Sequence, residues 1–179
     1  DDGIYAYNYG TGALSITTTG TTTGTSGDGI DAYNSSAGTS LTINAATTTG
    51  ATDGIDAYNI GSGALSITTT GTTTGTIGIN AQNGYIYYGS VYGTSLTINA
   101  ATTTGGNYGI FADNTGTGAL SITTTGTTTG AKYDGIKANN SSAGTSLTIN
   151  ASTTTGGVDG INAINSGTGA LNITTSGAI

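Results

Sequence analysis

The sequence predicts an all-β chain wound as a single-stranded parallel β-helix, a β-solenoid of about seven coils with three short strands in each. Three observations carry that expectation. The pattern Gly-Ile-x-Ala-x-Asn occurs seven times, starting at Gly3, Gly29, Gly54, Gly78, Gly109, Gly135 and Gly160, at spacings of 26, 25, 24, 31, 26 and 25 residues. Every copy is followed by Leu-x-Ile. The aliphatic positions stay in phase through all seven copies, which disordered chains of low charge do not do. A period near 25 residues is too short for a helix pair and too long for a heptad. It suits one coil that stacks on the next and buries the same side chains each time.

The first strand of each coil follows from its period of two. Ile4 and Ala6, Ile30 and Ala32, and so on to Ile161 and Ala163, fall on one face. The position between them varies freely (Tyr5, Asp31, Asp56, Asn80, Phe111, Lys137 and Asn162), as a solvent face permits. The second strand repeats the pattern with Leu14 and Ile16 through Leu171 and Ile173, separated by Ser, Thr or Asn. The third is a Thr triplet, first seen at Thr21-Thr22-Thr23. Burying its centre (Thr22, Thr48, Thr73, Thr103, Thr128, Thr154) costs one hydroxyl per coil, and the opposite phase costs two. The central Thr is therefore expected inside.

Two coil types alternate. One carries Gly-Ala-Leu-Ser-Ile-Thr-Thr-Thr-Gly, and the other Ser-Ala-Gly-Thr-Ser-Leu-Thr-Ile-Asn-Ala. The duplication unit is thus expected to be two coils, and residues 1–179 a single solenoid domain within a longer array. The fourth coil is longer, and the excess falls at residues 84–92, read as a loop insertion.

Composition narrows the function. The chain has no Cys, His, Arg, Glu, Met, Pro or Trp, and only two lysines, Lys132 and Lys137. Without Cys there are no disulfides or thiolate metal sites. A net charge of −7 argues against nucleic acid or anionic membranes as partners. No apolar run is long enough for a spanning helix. The sequence calls for no cofactor.

The run Gly-Thr-Gly-Ala-Leu-Ser-Ile-Thr-Thr-Thr-Gly-Thr-Thr-Thr-Gly from Gly10, leading into Gly-Asp-Gly-Ile-Asp-Ala-Tyr-Asn34, resembles repeats of bacterial autotransporter passengers and haemagglutinin-like adhesins. The likeness covers nearly the whole chain. It implies a right-handed β-helix displayed outside the cell, at the bacterial surface, and the handedness rule for parallel crossovers agrees.

Five features are candidates for function. The strand-one asparagines, Asn8, Asn34, Asn59, Asn83, Asn114, Asn140 and Asn165, are expected to turn inward and join their amides in a ladder. The alternative is a solvated turn residue. Tyr85, Tyr87, Tyr88 and Tyr92 in the insertion offer flat amphipathic surface for host or neighbour-cell glycans or proteins; the alternative is a flap covering an apolar flank. Tyr7, Tyr33 and Tyr58 read as plain cross-coil stacking.

The outward ranks Thr21 and Thr23, Thr47 and Thr49, Thr72 and Thr74, Thr102 and Thr104, Thr127 and Thr129, and Thr153 and Thr155 form a grid like that of ice-binding solenoids. Thr also favours any β surface. Asp28, Asp31, Asp53 and Asp56 are a calcium candidate, set against solvated Asx turns and an expectation of no metal. Asp28 with Asp31, or Asp31 with Asp56, also resemble a glycosidase dyad. No Glu, His or Arg is present to tune one, so an enzyme is not expected. Asn34, Asn139, Asn140 and Asn172 each open an Asn-x-Ser/Thr triplet that allows a covalent glycan.

The functional expectation is a non-enzymatic extracellular rod, structural or adhesive. Its alternatives are a fibre subunit that stacks end to end on other copies, and an ice-binding protein.

Overall fold

A computed structural model describes residues 1–179. It contains strands and turns with no helix, so nothing in it is a helix long and apolar enough to cross a membrane. One sheet of seven parallel strands is built from the Leu-x-Ile segments, from Leu14–Thr17 to Leu171–Thr175. A second sheet of eleven strands joins the Ile-x-Ala-x-Asn segments to the Thr triplets. Register is like on like: Leu41 pairs with Leu65 and Ile43 with Ile67, while Ile30 pairs with Ile55 and Asn34 with Asn59.

The alternation read from the sequence places Ile, Ala and Leu inside. Ile30, Leu41, Ile55, Leu65, Ile79, Leu96, Ile110, Leu120, Ile136 and Leu147 are fully buried in one continuous aliphatic core. Burial of this kind is the main favourable term in folding. It is not the only one, because each coil is narrow and its corners are polar. Of 121 backbone hydrogen bonds, 52 lie outside the regular strands, so the corners stack as continuously as the strands do. At one corner Ser35 N–H donates to Asn8 C=O, Ile60 to Asn34 and Gly84 to Asn59, at 2.8–2.9 Å.

The glycine that opens each motif is explained by close approach. A Cβ on Gly29, Gly54 or Gly78 would sit 2.5 Å from the carbonyl oxygen of the equivalent glycine one coil on. The alternation of coil types is explained in the same way. Gly71, Gly126 and Gly177 of first-type coils lie over Thr47, Thr102 and Thr153 of the preceding second-type coil, with room for no side chain.

The expected three separate strands per coil are modified at two places. The triplet and the following first strand merge into Thr72–Asn83 and Thr102–Asn114. Only three residues, Gly75 to Ile77, separate triplet from motif in the first case, too few to turn a corner. In the second the register slips between Gly105 and Tyr108, so the extra residue is absorbed as a bulge. The insertion also differs from the expected loop. Tyr85–Tyr87 and Ser90–Tyr92 pair antiparallel as a β-hairpin, turning at Tyr88 (φ 46°) and Gly89 (φ 81°). Two successive left-handed residues form the tight turn whose twist matches paired strands.

Candidate functional site

The strand-one asparagines sit at the corner where the chain leaves one sheet for the other. Each Nδ2 donates to the Oδ1 of the next: Asn8 to Asn34 and Asn34 to Asn59 at 2.7 Å, then Asn59 to Asn83 at 2.8 Å. The column continues from Asn83 to Asn114 at 3.0 Å, Asn114 to Asn140 at 2.9 Å and Asn140 to Asn165 at 2.8 Å. The second N–H ties the corner shut, as from Asn59 to Gly63 C=O. In the long coil Asn83 reaches Ser95 C=O, so the amide bridges the foot of the hairpin. Asn34 and Asn140 are buried in this column and closed to glycan attachment; Asn139 is half-buried and Asn172 exposed.

The flanking threonines of the triplets stack in register: Thr21 on Thr47, Thr23 on Thr49, Thr49 on Thr74, Thr72 on Thr102, Thr74 on Thr104 and Thr104 on Thr129, with Thr129 on Thr155. Thr127 and Thr153 precede their strands, and their carbonyls accept from Thr103 and Thr128. The central threonines point inward, and Thr48, Thr73, Thr103, Thr128 and Thr154 are fully buried.

The aspartates divide into two roles. Asp2 Oδ1 accepts from Asp28 N–H, Asp28 Oδ1 from Asp53 N–H, and Asp53 Oδ1 from Ile77 N–H, so these carboxylates cap the backbone of the next coil. Carboxylate oxygens of Asp28, Asp31 and Asp56 lie within 4.8 Å of one another, and Asp53 stands outside that group. Burial, then the charges of Asp53, Asp28 and Asp31, push Asp56 up to about 7. Asp31 is also raised by burial, partly offset by the Tyr7 hydroxyl, which donates to it at 3.1 Å.

The hairpin completes a groove that the aromatic column begins. Tyr7 stacks on Tyr33 with ring centroids 5.3 Å apart, and Tyr33 meets Tyr58 at a tilt, 5.8 Å away. Three neighbouring clefts flank this column and the hairpin. The first, about 240 Å³, lies between the Tyr column, Asp31, Asp56 and Gln82. The second, about 250 Å³, has Tyr58 and Gln82 on one side and Tyr85, Ile86 and Asp113 on the other. The third, about 300 Å³, is enclosed by Tyr85, Tyr87, Tyr92, Ile60 and Ser36. Tyr58 is shared by the first and second clefts, and Tyr85 by the second and third. Tyr88 stands apart at the turn, 92% exposed, its ring edge-on to Tyr87.

Comparison of the chain with known protein families, with curated proteins and with solved structures finds no match.

Sequence reasoning singled out the hairpin tyrosines but not the floor beside them. Ile60, Ser36, Gln82 and Asp113 come from four coils, and none departs from the repeat in a way that marks it. It also treated Tyr7, Tyr33 and Tyr58 apart from the insertion, whereas Tyr58 walls two of the clefts. A separate aromatic cluster, Tyr108 with Phe111 and Tyr133, went unremarked; Lys132 and Lys137 lie over its rings.

Proposed function

We propose that this chain is a stretch of a non-enzymatic extracellular rod, at a bacterial surface, that attaches to a partner through the hairpin and the groove beside it. One observation carries this reading. The hairpin is the single large break in the repeat, and the asparagine column passes beneath it without interruption. The solenoid therefore does not need it. Its apolar side chains nonetheless face solvent: Ile86 and Tyr87 are each 52% exposed. Insertions with this character commonly bind, because a rigid scaffold holds them in place. The likeness to adhesin repeats supports the extracellular setting, and the use of an Asp28 oxygen as a backbone cap weighs against a catalytic pair of Asp28 with Asp31.

Deleting Tyr85–Val91 returns the fourth coil to 24 residues, the length of the third. The variant is expected to keep its β-sheet circular dichroism and melting while losing attachment to cells, matrix or immobilised glycans. Attachment that survives the deletion defeats the reading.

The Thr face favours a second reading. Its threonines stack in register, in triplets that hold no charged residue, which is the grid an ice surface would match. Thr72→Tyr with Thr102→Tyr should then abolish ice-crystal shaping. A third reading, a fibre subunit, draws on the directional asparagine column, which a second copy could continue end to end. Mass per unit length distinguishes it from a monomeric rod.

A further inference from the structure

The groove has a chemistry of its own. Its floor is sheet whose N–H and C=O groups are consumed by the inter-coil ladders, so it offers a ligand side chains and little free backbone. Those side chains are of two kinds. Tyrosines divide the groove into units, with Tyr58 between the first and second clefts and Tyr85 between the second and third. Acids and an amide, Asp31, Asp56, Gln82 and Asp113, line the first two.

Repeated small clefts with aromatic partitions suit a linear chain of rings that have one apolar face and hydroxyls around the edge. Each cleft alone is at or below the lower bound of a small-molecule pocket, and the three together fall within that range. An extended peptide would leave its own backbone groups unpaired on such a floor, whereas sugar rings are read by side chains alone.

Charge selects among sugars. Residues 1–113 contain seven of the nine aspartates and neither lysine. No hydrogen bond from the protein offsets the burial of Asp56 or Asp113. Acidic sugars are repelled by that field, and a ligand carrying ammonium groups is complementary to it.

Resting on the adhesive reading above, we infer that the groove binds a linear amino-sugar oligosaccharide, its rings against Tyr58 and Tyr85 and its free ammonium groups toward Asp56 and Asp113.

Titration calorimetry on the full chain tests this with three probes: a β-1,4-linked glucosamine tetrasaccharide, its fully N-acetylated counterpart, and tetralysine. The expected result is at least about tenfold tighter binding of the free amine than of the acetylated form. Asp56→Asn with Asp113→Asn should erase that preference. Asparagine already stands at both outward columns, at Asn80 and Asn139, so the double variant is expected to fold; a melting temperature no lower than that of the parent chain verifies it. Tyr85→Ala should weaken both sugars and leave tetralysine unaffected.

Equal binding of the two sugars overturns the amino-sugar inference, and so does tetralysine binding as tightly as the glucosamine oligomer. If either occurs while deletion of Tyr85–Val91 still abolishes surface attachment, the adhesive reading stands without this ligand. If attachment survives that deletion, the adhesive reading itself has failed.

Discussion

The asparagine column and the central threonine column are both buried and polar, and both recur coil after coil, yet only the first is linked by hydrogen bonds from end to end. Six amide-to-amide links join all seven asparagines. Among the threonines, Thr103 donates to Thr128 at 3.2 Å, and the hydroxyls of Thr48, Thr73 and Thr154 have no partner. The difference is one of reach. Stacked coils repeat at about 4.8 Å. A carboxamide holds its donor and acceptor on separate atoms and spans that gap with one bond of ordinary length. A hydroxyl is one atom, so a column of them at that spacing links only where two neighbours lean toward each other, as Thr103 and Thr128 do. The asparagines are thus a polar spine, and the threonines act in the core mainly through their methyl groups.

Substitutions can break or sharpen this contrast. The largest expected effect is from Asn59→Ala, which strands the Nδ2 of Asn34 and the Oδ1 of Asn83 inside the core. Two buried unsatisfied groups should cost about 2–5 kcal/mol in urea-induced unfolding. A cost no greater than that of Thr73→Ala would mean that packing, not hydrogen bonding, distinguishes the columns. Thr73→Val is next. It removes an unpartnered hydroxyl at nearly constant volume and should stabilise by about 1 kcal/mol. Thr103→Val, which deprives Thr128 of its partner, should instead be neutral or lose up to about 1 kcal/mol. Opposite signs at two stacked positions would sharpen the contrast considerably.

The outward face supplies a smaller, pH-dependent test. The carboxyl of Asp56 is raised to about 7 by burial and by neighbouring aspartates, so the folded chain holds a proton there that the unfolded chain releases near its ordinary value of 3.8. Its stabilising contribution is complete below that ordinary value and is lost as pH rises toward and through 7. Asp56→Asn should therefore raise the melting temperature above neutrality and have little effect in acid. The gain at alkaline pH is about 1 kcal/mol after solvent screening. A gain that does not vary with pH would show that the charge is not its cause.

Some of this was legible before any coordinates. Aliphatic phase and the invariant Asn announce stacked coils because a solenoid copies one environment many times, and an environment copied many times leaves an unvarying residue. The central Thr could be oriented by counting buried hydroxyls. The hairpin was harder to read. Tyr88 and Gly89 turn the chain there through left-handed angles, but Tyr at such a position carries no turn signal, and the segment read as a loop. Merging of triplet and motif in Thr72–Asn83 depended on a connection only slightly shorter than its counterparts. The clefts were not legible at all, since Ser36, Ile60, Gln82 and Asp113 each look like ordinary variation within their own coil.

By itself the sequence determined the coil: which side chains face inward, where the chain bends, and that identical residues lie over one another, because period-two alternation and a constant repeat admit few other arrangements. Only the tertiary structure decided what the outward residues do together. Stacking brings residues some 25 positions apart to within a few ångströms. A groove made of such neighbours exists in the spacing between coils, which no single repeat encodes.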